Sequence, residues 1–546
     1  MNDSTRAEWR QWGPEAFEEA ERSAQPILLS LTATWCGACH EMDARTYAEP
    51  RIAAHINDSF VPIRVDVDRH PRVRERYNMG GFPTTAFLTP EGELLSGATY
   101  LGPDGLRQVL ESIRELWANK GTDAGRIPRA LADDPTPSGE LTTQIEQHLA
   151  GQLSEQFDSQ HGGWGTEAKF PLARTIEFAL KRERAQALQT LDAIAHHLYD
   201  SVEGGFFRFA TSRDWSEIRY EKVLPENAAL LRAFANAYLY TGDEAYRNPA
   251  GHTIEYLTNT LWTGIAVGGS QGPGQGAGYY SLEAADRAEH ESPRTDLTVF
   301  AGGNALAADA LLAYYSYTDD ETAKTYARRI LTALESELVD SETGVVTHYR
   351  AGDEVGETHL LEDAARVVGA WSRAYQVLGE DHYLEGARQV ADEAIAELQA
   401  DSGAFRDGPA HGEGLCGRPL YPIDTAVEFA DGLIDLAILT DTPEYRERAL
   451  EAMEAFGGAW DRIGIQLAGY GSLTARLLGE PLIIEVGGPA GSELHRAACR
   501  VADHERVIIP DAEGLKASEA SVRTSDEPPV DAPEQLIQQV SAAVDQ

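Results

Sequence analysis

Lysine is nearly missing from this 546-residue chain, with six residues among 46 bases, and those bases face 88 acids for a formal net charge of −42. Such an excess repels nucleic acid and anionic membrane alike, which excludes both as partners. The acids are scattered along the whole length instead of gathering in one tail. That pattern predicts a halophile's cytosolic protein, in which molar salt screens the self-repulsion. Long apolar runs are also absent: none approaches the ~18 residues that span a bilayer. The opening MNDSTRAEWRQWGPEAFEEAERS carries no signal-peptide apolar stretch, so a cytoplasmic location is expected. With four cysteines, a disulfide framework is excluded.

What remains is ample for folding. The 42% hydrophobic content and the length call for two or more domains, since single cores stop growing near ~250–300 residues. Two of the four cysteines form one Cys-x-x-Cys, Cys36-Gly37-Ala38-Cys39. The apolar segment Pro26–Thr34 reads as a strand running into Trp35-Cys36, where a helix should start. At a helix N-terminus the unpaired N–H groups favour a thiolate, which makes Cys36 the attacking sulfur and Cys39 the resolving one. Zinc would need two further close ligands. Cys416 and Cys499 are isolated and His40 points off another helix face, so no metal is expected. A second strand over Phe60–Asp68, a short helix, and Gly80-Gly81-Phe82-Pro83-Thr84 opening a third strand give thioredoxin order.

At this point the run resembles the thioredoxin-like domain of the spermatogenesis-associated protein 20 family. The matching elements are Trp35-Cys36, Cys39-His40-Glu41-Met42, Ile56-Asn57-Asp58-Ser59-Phe60-Val61 and Val65-Asp66-Val67-Asp68. The resemblance implies that Pro83 is a cis proline beside the dithiol, offering a backbone edge to a substrate chain. Many members keep only part of the dithiol, whereas both cysteines stand here. Six residues before Cys36, where thioredoxins place a buried acid, this chain has Ser30.

After Gly121–Gly125 and the Pro/Asp-rich stretch 133–139, which reads as a linker, helices dominate. Ile145, Leu149, Leu153 and Phe157 mark the first. Acidic turns at 241–246, 318–321, 379–383 and 440–445 each join a more apolar helix to a more charged one. Gly-aromatic elements recur between hairpins: Gly162–Gly165, Gly204–Arg208, Gly278–Tyr280, Gly344–Val346 and Gly403–Arg406. Hairpins of this kind bury their apolar faces only by stacking on neighbours, and apolar inner with charged outer helices close into an (α/α) toroid of six hairpins. The same family resemblance implies this second domain. The expected organisation is an α/β thioredoxin-like domain at 1–122, an all-α (α/α)6-type toroid at 137–480, and a small strand-helix-strand extension at 481–546, with Ser518–Pro533 mobile.

The resemblance also carries over Gly162–Gly165 with Lys169-Phe170-Pro171, Glu221-Lys222-Val223-Leu224 with Asn227, Asp296 and Asn304, Leu361-Glu362-Asp363-Ala364, and Asp424. Loops leading into the inner helices share one mouth, so Trp164, Lys169, Glu221, Lys222, Asp296, Glu362, Asp363 and Asp424 are expected to converge. Acids and aromatics around a cavity suit a sugar, with paired carboxylates as acid and base or nucleophile. The same residues also serve as caps and structural ion pairs. His348 and His359 flank one hairpin entrance and resemble the His bases of sugar epimerases with this fold, although a lone His is more often structural.

Three readings follow. The first is a thiol–disulfide oxidoreductase or redox-regulated protein acting through Cys36, Cys39 and Pro83 on client protein thiols or disulfides. The second is a carbohydrate-active isomerase or hydrolase binding a small molecule such as a sugar. The third is a non-catalytic scaffold. None of them calls for a cofactor.

Overall fold

The computed structural model describes residues 5–132, 135–525 and 527–544; positions 133 and 134 of the expected linker lie outside them. The first layer contains α1 (Pro14–Ser23), β1 (Ile27–Thr32), α2 (Gly37–Met42), α3 (Pro50–Ser59), β2 (Val61–Asp66), α4 (Pro71–Tyr77), β3 (Thr84–Leu88), β4 (Leu94–Ala98) and α5 (Pro103–Lys120). The strands lie in the order β2-β1-β3-β4. β2 runs parallel to β1, Ile27 opposite Val61, while β3 is antiparallel to β1 and β4 to β3. Every residue of β1 and β3 is buried, because helices cover both faces of the sheet. Alternation decides the face: Ile27, Leu29 and Leu31 pack with Phe17, Val73 and Tyr77, whereas Leu28 packs with Ile52, Ile56, Leu106 and Leu110.

The helical region holds α6 (Thr143–Gln156), α7 (Ala173–Arg182), α8 (Arg184–His197), α9 (Leu224–Thr241), α10 (Glu244–Asn259), the one-turn α11 (Ala277–Tyr280) and α12 (Ala284–Arg287), α13 (Ala301–Thr318), α14 (Glu321–Ala333), α15 (Leu361–Leu378), α16 (Asp381–Leu398), α17 (Ile423–Thr440), α18 (Pro443–Glu454) and α19 (Gly469–Leu478). An inner ring runs α7-α9-α13-α15-α17-α19 and closes where α19 packs on α7. Outside it lie α8, α10, α14, α16 and α18, each against its hairpin partner, and α6 against α19. Six hairpins therefore close into a toroid. Composition explains which helix goes inside: α13 is buried on nearly all sides, while α14 buries one stripe around Ala323, Ala327, Ile330 and Leu331.

All four acidic turns join an inner to an outer helix, each ending the inner one on a left-handed residue: Gly242, Asp319, Gly379 or Asp441. Asp243 and Asp320 then cap the outer helices by accepting N–H groups of Ala245 and Ala323. Each return loop is pinned by a β-bridge, as between Phe157 and Trp164, Tyr199 and Phe206, Val339 and Val346, and Gln399 and Phe405. Gly344 has positive φ and lies so near the Gln389 carbonyl that a Cβ would stand 2.4 Å from it. Gly278-Tyr279-Tyr280 departs from the expected pattern. It forms α11, and the bridge of that repeat joins Trp262 to Val267 instead.

The toroid lumen is occupied by ion pairs. Arg366 joins Glu362 and Glu428, Arg174 joins Glu428, and Arg232 spans Glu177 (2.7 Å) and Asp309 (2.6 Å), which Arg373 also holds.

Beyond the ring, strands Ile483–Val486, Val507–Ile509 and Ala520–Val522 form a sheet with the first in the middle, packed with α20 (Glu493–Cys499) and α21 (Pro533–Val544). The third strand falls inside the segment expected to be mobile. Ala520 and Val522 point into the Ile484 and Val486 cluster, and three residues are too few to register as periodicity. This unit closes the toroid end that carries the inner-helix C-termini: Ile508 N–H donates to Gln376 Oε1 at 3.0 Å, and Lys181 pairs with Asp503 and Glu505. Among the described residues no helix is long and apolar enough to cross a membrane.

Candidate functional site between dithiol and toroid

Cys36 is the N-cap of α2, its Sγ accepting the Cys39 N–H at 3.1 Å, and the two cysteines are disulfide-bonded. The Phe82–Pro83 bond is cis. Ser30 is buried on β1 and supplies no carboxylate, but two acids stand at the end of the neighbouring strand. Asp68 accepts the Trp35 indole N–H at 2.7 Å, and Asp66 accepts the Asp68 backbone N–H at 3.0 Å. Burial, then the proximity of Asp68, pushes Asp66 up to about 7.

The dithiol face is turned toward the toroid. Cys36 is 3% exposed and Cys39 2%. The Pro273 ring covers Gly37, where a Cβ would stand 3.0 Å from its Cγ, and the Arg208 guanidinium lies 4.3 Å from the Trp35 ring centroid. Helix α4 anchors the contact. Arg72 donates to the Pro409 and His411 carbonyls, and Arg76 grips Asp407 through both oxygens at 2.6 and 3.0 Å while donating to Leu415 O. Cys416 packs beneath, its thiol pushed up to about 12 by burial, which makes it inert.

A cavity of about 360 Å³ opens at this seam, between Trp35, Asp68, Arg74 and Phe82 on one side and the inner-helix N-termini on the other. His348 bridges the two. Its Nδ1 meets Asp363 Oδ2 and its Nε2 meets the Asp68 carbonyl, both at 2.7 Å. With an acceptor at each nitrogen the ring donates twice and is an imidazolium. Burial opposes that charge, but Asp363 outweighs it and carries the imidazole up to about 9. A folded value above the ordinary 6.5 stabilises the fold fully below pH ~6.5, and the stabilisation is lost as pH rises through about 9. Denaturation between pH 6.5 and 9.5 is therefore expected to show a decline on the order of 3 kcal/mol, absent from His348→Gln; an equal decline in that variant would refute the assignment.

The other acids divide by partner. Burial opposes the charge of Glu362, but Arg366 and Arg74 hold it as a carboxylate at about 2. Glu226 has only a 3.3 Å contact from Arg208, and burial pushes it up to about 7.

Of the eight residues expected to converge, Glu362 and Asp363 line this cavity, and Asp424 lines a smaller one beside it that shares Arg74, Glu362 and Arg366. Asp296 caps its own turn, accepting from Thr298 N and Oγ1. Glu221 stands just before α9, outside the cavity wall, its carboxyl pushed up by burial. Trp164, Lys169 and Lys222 do not join the mouth. Trp164 packs against Phe157 in the core; Lys169 is buried on Asp158 (3.1 Å) and Lys222 on Asp200 (2.7 Å), each tying down the loop that follows an outer helix. His359 pairs with Glu393, away from His348. Arg74, Arg208 and Glu226 escaped sequence reasoning. The available signal was Glu226, an acid in the first turn of α9 directly after the Glu221–Leu224 element.

Fold and site together define an α/β dithiol domain seated on the mouth of a six-hairpin helical toroid. Residues 2–133 match the family model Thioredox_DsbH, described as a protein of unknown function, DUF255. Human spermatogenesis-associated protein 20 is 30% identical over 318 residues, 51% of this chain and 39% of that protein. Thiol:disulfide interchange protein DsbD of Vibrio vulnificus (strain CMCP6) is 29% identical over 101 residues, 18% of this chain and 17% of that one. Among solved structures, cellobiose 2-epimerase from Spirochaeta thermophila DSM 6192 has a TM-score of 0.45 at 18% identity, covering 57% of this chain and 83% of that chain. The matched stretch is less than half the length of the mammalian relatives.

Proposed function

We propose that this chain is a halophilic, cytoplasmic member of the spermatogenesis-associated protein 20 family that carries out thiol–disulfide exchange through Cys36 and Cys39. The carrying observation is the placement of Cys36 as the cap of α2, with the Cys39 N–H directed at its sulfur. A thiolate there is stabilised by the helix end. The likeness of the first domain to thiol:disulfide interchange proteins supports the same reading. In the reducing direction, the Cys36 thiolate attacks a client disulfide and forms a mixed disulfide, releasing one client thiolate. Cys39, as thiolate, then attacks Cys36 Sγ, releasing the second client thiolate and leaving the Cys36–Cys39 disulfide. Two electrons pass to the client, and the reverse sequence oxidises it. Pro83 flanks the approach, and the Pro273 loop must lift before an extended protein client reaches the sulfur.

The test is alkylation of the reduced protein against pH in molar KCl, with exchange against glutathione. Cys36 is expected to titrate well below the free-thiol value of ~8.5. Cys36→Ser should abolish exchange and Cys39→Ser should accumulate a mixed disulfide. Variants indistinguishable from wild type would sink the proposal.

A further inference from the structure

The cavity between the domains belongs to neither alone, and the exchange chemistry does not use it. Most of its charged groups are already matched: Glu362 with Arg366 and Arg74, Glu75 with Arg74, Asp363 with His348, and Arg208 with Glu226, while Asp68 is held by the Trp35 indole N–H. What they offer an occupant is therefore hydrogen-bonding edges with little net charge. One polar atom lacks a partner. Glu226 Oε2 is shielded from solvent and has no hydrogen bond among the described residues. Leaving such an atom unpaired costs about 1–3 kcal/mol, which a bound donor or acceptor recovers. Between the polar groups, Phe82, Phe300, Leu224 and Pro225 provide apolar panels. The volume of about 360 Å³ lies at the lower end of the ~300–1,000 Å³ typical of small-molecule pockets.

An ion would have to displace an existing partner. A hydroxyl both donates and accepts, so it can join a guanidinium N–H to a carboxylate without breaking their pairing, while the C–H faces of a hydroxylated ring lie on the apolar panels. We propose that the interdomain cavity is a binding site for an uncharged polyhydroxy compound, with Glu226 as its central hydrogen-bonding contact. The unpartnered Glu226 Oε2 accepts from a hydroxyl of the occupant while Oε1 keeps its contact with Arg208. The site is complete only while α4 is docked on the toroid, so binding opposes separation of the domains.

The test uses the full chain in molar KCl, probed by calorimetry and thermal melting with glucose, mannose, cellobiose and myo-inositol, and with inorganic phosphate and arginine as charged probes. At least one polyol is expected to bind and raise Tm, with the charged probes inert. Glu226→Leu, which keeps the approximate size but neither donates nor accepts, should weaken binding about tenfold or more. Val223→Phe, which extends an apolar wall into the cavity, should abolish it. Melts without ligand check that each variant folds. Silence across all four polyols, preferential binding of phosphate or arginine, or unchanged affinity in both variants would each overturn the proposal. Repeating the titrations in Cys36→Ser separates this result from the fate of the dithiol reading.

Discussion

Replacing Asp200 with asparagine is expected to cost the protein about 3–5 kcal/mol of stability, measured by urea denaturation in molar KCl. Asp200 sits 1% exposed, with Lys222 Nζ at 2.7 Å and Arg287 at 2.9 Å on both of its oxygens; Lys222 is itself fully buried. The neutral amide would leave the buried Lys222 without its ion-pair partner and Arg287 with only the longer 3.6 Å contact to Glu203, and it loses an acceptor oxygen to its own NH2 group. Burial disfavours the Asp200 carboxylate, yet Arg287 and Lys222 more than compensate and hold it below the ordinary aspartate range. Its contribution is thus present above the unfolded value near ~3.9 and disappears as pH falls through the lower folded one. The exposed Asp353→Asn serves as control and should stay within about 0.5 kcal/mol. Equal stability of the two variants would show that the loop pairs are dispensable.

Asp407→Asn is expected to act at the seam. Arg76 has no exposed side-chain surface and depends on both Asp407 oxygens. Removing that charge should weaken the docking of α4 by about 3–5 kcal/mol, the penalty for orphaning a buried cation. Because Pro273 shields the dithiol only while the domains are docked, alkylation of reduced Cys36 should accelerate at least about tenfold, each factor of ten corresponding to ~1.4 kcal/mol in the opening equilibrium. The rate is to be compared in low urea, where the toroid remains folded. An unchanged rate would mean that the dithiol is already reached by another path.

Much of the architecture was legible because local rules and the tertiary fold agree. β1 is mostly apolar because helices cover both of its faces, with only the small Ser30 and Thr32 interrupting the run, and the hairpin turns announce themselves through Gly or Asp where the backbone turns left-handed. The short strand Ala520–Val522 was not legible, because its pairing with Ile484–Val486 lies in sequence-distant contacts. Lys169 and Lys222 were misplaced at the mouth for a related reason. From the sequence a lysine beside a Gly-aromatic turn has no visible counter-charge, and its partners Asp158 and Asp200 lie 11 and 22 residues upstream.

The sequence by itself determined the dithiol at a helix start, the alternation of apolar and charged helices, and the large excess of acids over bases; all of these depend on residues within a few positions of one another or on totals. Only the tertiary structure decided which face of the first domain meets the toroid. That contact buries Arg72 and Arg76, covers Cys36, and brings Asp68 and His348 together across 280 residues. No period or motif encodes such a meeting, because it rests on the complementarity of two finished surfaces.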